Sequence, residues 1–137
     1  MTTDTRRVWF ITGASSGIGR ELARQALKAG EAVAAVSRNM TGAGADLGPS
    51  DSLLAASADV GDQAAISGVV KAAVGQFGRI DVVANNAGYG LFGAVEEVSD
   101  AQARAIFDTN VFGALNVLRA VLPVMREQRS RPWRPLR

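Results

Sequence analysis

Apolar and polar positions alternate along this chain in blocks that predict short buried strands separated by amphipathic helices. Val8–Thr12 (VWFIT) is β-branched and aromatic, stops at a glycine, and predicts a buried strand. A Gly/Ser turn, Gly13–Gly19, follows. Arg20–Ala29 then places Leu22, Ala23, Ala26 and Leu27 at helical spacing, with Gly30 positioned to end the helix. Ala32–Val36 (AVAAV) predicts a second strand, Asn39–Asp51 a Gly-rich loop, and Leu53–Ala58 a third strand. Asp62 can cap a helix to about Phe77 that turns Ile66, Val69, Val70, Ala73 and Val74 inward. Ile80–Ala84 (IDVVA) predicts a fourth strand. Ser99 can cap one long helix to about Glu127, with an inner stripe of Ala103, Phe107, Val111, Ala114, Leu118, Val121 and Met125. Strands alternating with helices predict an α/β fold: a three-layer, doubly wound parallel sheet with helices on both faces.

Composition narrows the chemistry. The 137 residues suit one domain and include no Cys and no His. Thiol nucleophiles, Cys-ligated zinc and Ser-His-Asp triads are therefore excluded within this chain. The net charge of +2 conceals an asymmetry. Residues 1–125 carry 10 Lys/Arg against 12 Asp/Glu, whereas residues 126–137 carry five Arg against Glu127. The basic character belongs to the tail, and nucleic-acid binding through it ranks lowest among the readings. The expected division is a domain over 1–129 and an irregular basic tail over 130–137. The polar start and the interrupted apolar stretch Val111–Met125 give no targeting or membrane-spanning signal, so the expectation is a soluble, cytoplasmic protein.

Four sets of residues fall at the carboxyl ends of the predicted strands, where ligands bind in such sheets. Gly13, Ser15, Ser16, Gly17, Ile18 and Gly19 belong to Thr12-Gly-Ala-Ser-Ser-Gly-Ile-Gly19, a Gly-x-x-x-Gly-x-Gly spacing between strand and helix. Glycines there permit a tight strand exit, close approach of a pyrophosphate and close helix packing, and the free N–H groups of the helix start hold the anion. Ser37 and Arg38 end the second strand, about 18–19 residues past Gly19. An acidic residue there would select a ribose 2′-hydroxyl, whereas a hydroxyl and a guanidinium suit a 2′-phosphate. The competing reading is a solvent-facing Arg. Asp59 and Val60 end the third strand, where the Asp can accept from an adenine amino group or start the turn to Asp62. Asn86, Ala87 and Gly88 follow the fourth strand, where amides can tie strand ends together or NNAG can be simply a turn.

Together, TGASSGIG at 12–19, ADV at 58–60, NNAG at 85–88 and Asn110 of Thr109-Asn110-Val111 resemble the short-chain dehydrogenase/reductases, over residues 7 to about 129. The resemblance implies a Rossmann-type fold, here incomplete with about four strands in the order 3-2-1-4. It also implies an NAD(P)-dependent oxidoreductase acting on alcohol or carbonyl groups, with NADP favoured by Ser37 and Arg38. Gly13, Ser15, Ser16 and Ile18 would meet the pyrophosphate side of the cofactor, and Asp59 and Val60 the adenine. Asn86, Ala87 and Gly88 would meet the nicotinamide-side ribose. Asn110 would be the Asn that holds a water in the family's proton relay.

One part of the family pattern is missing from the chain. The resemblance calls for a Tyr, a Lys four residues later and a catalytic Ser. The single Tyr, Tyr89, has Gly at position 93, and the only lysines are Lys28 and Lys71. Family members are nearly twice this length. The expectation is a truncated member whose Arg/Pro-rich end reads as an out-of-frame tail, inactive alone, with the edge of strand four exposed to association. The alternative is a catalytically silent dinucleotide-binding module that senses redox state or partners a full-length paralogue. The substrate and homo-oligomer formation are left open.

Overall fold

The computed structural model describes residues 6–42, 47–48 and 50–129. The expected tail over 130–137 lies outside them. In chain order the elements are β1 (Val8–Thr12), α1 (Gly17–Lys28), β2 (Ala32–Ser37), β3 (Leu53–Ser57), α2 (Gln63–Phe77), β4 (Val82–Ala84), α3 (Asp100–Phe107), a π-helical turn (Asp108–Gly113) and α4 (Ala114–Arg129). The four strands are all parallel, in the order β3-β2-β1-β4. This is the expected three-layer, Rossmann-type arrangement.

Alternation along the strands builds two cores, one on each face. Phe10, Ala34 and Val36 point to one face, where Ile66, Val70 and Ala73 of α2 and Val117 and Val121 of α4 cover them. Ile11, Val33 and Ala35 point to the other, against Ala23 and Ala26 of α1 and Met40. The small alanines of α1 and β2 let helix and sheet lie close together. Asp62 caps α2 as expected, its side chain accepting from the Ala65 N–H at 3.0 Å, and Gly78 closes that helix in the left-handed region at φ 79°.

Three sequence expectations are corrected. The helix after the Gly/Ser turn starts at Gly17 rather than Arg20, because Ser16 is the extended N-cap residue. β4 begins at Val82 rather than Ile80. Ile80 is fully buried, but the Gln128 side chain takes up both its backbone groups, donating to its carbonyl and accepting from its N–H, each at 2.8 Å. Gln128 therefore belongs to the fold, and the periodicity does not end at Glu127.

The third correction concerns the long helix. A π-helical turn interrupts it, and its inner face is Gly113, Asn116, Val117 and Val121. Phe107, Val111 and Leu118 of the expected stripe are exposed. Apolar residues occupy both sides of this helix, so periodicity cannot decide between them. Close packing decides, because Gly113 and Val117 fit under the sheet where Phe112 and Leu118 do not. By length and composition alone, the run Asp100–Arg129 could cross a membrane, but its inner face packs on the sheet.

Candidate dinucleotide site

The site is assembled around Thr12, the last residue of β1 and completely buried. Its hydroxyl oxygen accepts the N–H groups of Asn86 and Ala87, both at 3.0 Å. Asn86 answers through its side-chain amide, which donates to the carbonyls of Thr12 and Gly13 at 3.2 and 3.4 Å. β1 and β4 are neighbours in the sheet, and this exchange locks their two carboxyl ends into a single rim. Sequence reasoning found the asparagine tie but assigned Thr12 no role. Only the register of β1 against β4 shows that Thr12 is its acceptor.

Gly13 leaves the strand at φ 65°, a conformation L side chains rarely adopt. A Cβ on it would stand 2.9 Å from the Asn86 amide nitrogen. Gly19 is tighter still. A Cβ there would collide with the Gly13 carbonyl oxygen and lie 2.5 Å from the Asn86 amide nitrogen. Gly19 therefore lets the first turn of α1 rest directly on the loop backbone. In front of Gly17 a Cβ would meet no protein atom, so space is open before the helix start. Ser16 and Ile18 are exposed beside it. The first N–H to find a partner inside the helix is that of Arg20, bonded to the Ser16 carbonyl. The preceding amides and the helix dipole make this opening attractive to an anion.

The next part of the rim is built from the ends of β2 and β3. Ser37 ends β2 and donates its hydroxyl to Ser15 at 2.8 Å, joining the strand end to the glycine loop. Arg38, next in the chain, is exposed. The Ala58 N–H bonds the Ser37 carbonyl, so the Asp59 segment runs alongside. Asp59 is exposed, and its carboxylate accepts from the Gly61 N–H at 2.8 Å, shaping the turn into α2. The Val60 side chain is buried in the core, which leaves its backbone as the part able to meet a ligand.

On the far side, Asn110 lies in the π-helical turn. Its amide pairs reciprocally with the Tyr89 backbone, donating to the carbonyl at 2.8 Å and accepting from the N–H at 3.0 Å. Gly88 lies under it, since a Cβ there would stand 3.0 Å from the Asn110 side-chain oxygen. Asn110 thus holds the loop that follows NNAG. Asn85, unassigned from sequence, donates to the Ala114 carbonyl at 3.0 Å and ties the same rim to α4. Among the exposed charges bordering the site, Glu21 on α1 is hydrogen-bonded by Gln25 and then by Arg24, which holds its carboxyl below the ordinary carboxylate range.

A strand-to-helix opening suited to an anion, polar strand ends and a rim tied by asparagines lie together at the carboxyl edge of a parallel sheet, where such sheets bind ligands. The family profile of the short chain dehydrogenases matches residues 7–131. The chain belongs to that family. Among curated relatives, this short-chain dehydrogenase chain is 38% identical over 127 residues to Oxidoreductase BOA17 of Botryotinia fuckeliana, covering 90% of the chain and 46% of that protein. It is also 38% identical to retinol dehydrogenase 8 of Bos taurus, covering 93% of the chain and 43% of that protein. Among solved structures, a short-chain dehydrogenase from Streptomyces avermitilis matches with a TM-score of 0.84 at 40% identity, over 90% of this chain and 46% of that one. A 3-ketoacyl-(acyl-carrier-protein) reductase from Brucella melitensis, complexed with NADH, matches with a TM-score of 0.84 at 33% identity, over 90% of this chain and 52% of that one. The chain thus spans about half the length of the relatives it matches.

Proposed function

We propose that this chain is the NADP(H)-binding portion of a short-chain dehydrogenase/reductase that acts on alcohol or carbonyl groups, and that the 137 residues alone do not turn over. The residues present fit the cofactor, because Gly19 lets the helix start rest on the glycine loop while the space before Gly17 stays open for a phosphate group. Gly13, Ser15, Ser16, Gly17, Ile18 and Gly19 hold the pyrophosphate. Asp59 and the Val60 backbone meet the adenine, and Asn86, Ala87 and Gly88 the nicotinamide-side ribose. When bound, the nicotinamide supplies or accepts the hydride.

The observation that carries the preference for NADP is the Ser37–Ser15 hydrogen bond, which sets the end of β2 against the glycine loop with Arg38 exposed beside it. No carboxylate stands at either position to claim a ribose 2′-hydroxyl or repel a 2′-phosphate. A guanidinium binds phosphate through charge-assisted hydrogen bonds. Titration with NADPH and NADH tests this. Arg38→Ala should weaken NADPH by on the order of tenfold to a hundredfold and leave NADH nearly unchanged. Equal affinity of the parent chain for both cofactors would remove the preference.

The chemistry this chain can contribute is binding and orientation. Its one Tyr has no Lys four residues on, so no group here serves as the proton donor that the family's reduction requires. Asn110 stands in the family's relay position, with its amide already engaged by Tyr89. A carbonyl reductase assay with NADPH tests the inactivity, and sustained substrate-dependent oxidation by the 137-residue chain would refute it. The reading also takes the protein to be cytoplasmic, which cell fractionation checks.

A further inference from the structure

We infer that Asn116 is a positioning residue for the adenine side of the site; this rests on the proposed reading that Asp59 and Val60 meet the adenine. Asn116 sits in the first turns of α4, a polar residue beside the apolar core that Val117 and Val121 form with α2 and the sheet. It is 7% exposed, and a buried amide at such a position costs stability unless it is paired. Its side-chain nitrogen donates to the Val60 carbonyl at 2.9 Å. Three residues earlier, Gly113 removes the side chain that would block this approach. A Cβ there would lie 2.5 Å from Val60 Cγ2.

The Asp59–Gly61 turn is thus held on two sides. From within, Asp59 accepts the Gly61 N–H and the Asp59 carbonyl accepts the Asp62 N–H at 2.9 Å. From below, Asn116 of α4 holds the Val60 carbonyl and Gly113 of the π-helical turn meets its side chain. The internal bonds fix the shape of the turn, and they leave its height above the sheet free. The Asn116 bond sets that height, because it is made to the backbone of the residue whose side chain points inward. A hydrophobic residue at 116 could fill the same volume, but it would leave the Val60 carbonyl without this partner and the turn free to lift. Asn116 lies buried beneath the turn and acts through Val60.

The test separates the two halves of the site in the full 137-residue chain. Binding of 2′,5′-ADP reports the adenosine side, and binding of inorganic pyrophosphate, followed by amide chemical shifts, reports the glycine loop. Asn116→Leu should weaken 2′,5′-ADP by about fivefold, the value of one neutral hydrogen bond, and leave pyrophosphate unchanged. Val121→Ala, buried on the same helix and remote from Val60 in the chain, is the control for a loss of packing alone and should change neither. Asn116→Gln keeps the amide donor and should recover most of the 2′,5′-ADP affinity. It also serves if the leucine variant does not fold. Equal weakening of both ligands by Asn116→Leu and Val121→Ala would reduce Asn116 to a packing role and overturn the inference. So would unchanged 2′,5′-ADP binding in Asn116→Leu, or a glutamine variant as impaired as the leucine one. Failure of the parent chain to bind 2′,5′-ADP at all would instead remove the underlying cofactor reading, and this inference with it.

Discussion

β2 and β4 flank the same central strand and are made of the same kinds of residue, yet they end in different environments. Ala32 to Val36 of β2 are buried throughout, enclosed by β1 and β3 at the edges and by helices on both faces. Val82, Val83 and Ala84 of β4 are half-buried, with β1 on one side and no further strand among the described residues on the other. Apolar residues alone do not seal a strand; neighbours do. Besides its ladder with β1, β4 is held by polar ties at its two ends, Thr12 with Asn86 at the site and Gln128 with Ile80 opposite. The same contrast runs through α4. Val117 is fully buried, while Leu115, Leu118 and Leu122 on its other side are partly open to solvent. Among the described residues, the β2 side is thus enclosed, and the β4 side presents an edge and an apolar face.

The largest effect should come from the sealed side. Gly19→Ala drives a methyl into the Gly13 carbonyl and the Asn86 amide, and should cost roughly 3 kcal/mol in urea unfolding while abolishing dinucleotide binding. Normal stability in that variant would mean that the helix does not rest on the loop. Thr12→Val keeps the shape but removes the acceptor for two N–H groups, and should cost about 2 kcal/mol. A loss no larger than that of an exposed threonine would show that the ties at the end of β4 are dispensable. Val117→Ala should cost a similar amount, about 2 kcal/mol, through the cavity it leaves. Its neighbour Leu118→Ala, on the open face, should stay within about 0.5 kcal/mol and improve solubility. Equal losses at 117 and 118 would show that α4 is covered on both sides in solution.

The sealed side was also the legible side. The order of elements, the glycine loop and the Asp62 cap follow from local patterns: β-branched runs, glycine spacing and a capping side chain. The structure places the site residues from Gly13 to Gly88 along one rim because each ends or follows a strand. What the sequence did not reveal depends on contacts between distant segments. Thr12 reads as the last letter of a strand until β4 lies beside it. Gln128 reads as a solvated helix end until its amide meets Ile80, 48 residues away. The π-helical turn and the true inner face of α4 depend on the fit of Gly113 against Val60, and apolar residues on both sides of that helix gave periodicity no means of choosing.

The proposed dinucleotide site needs only residues of this chain. That claim is tested most directly by titrating the purified chain with NADPH and following the cofactor's fluorescence. Saturable binding, lost in Gly19→Ala and weakened in Arg38→Ala, is the predicted result. A folded parent chain that leaves the NADPH signal unchanged at every concentration would contradict the claim.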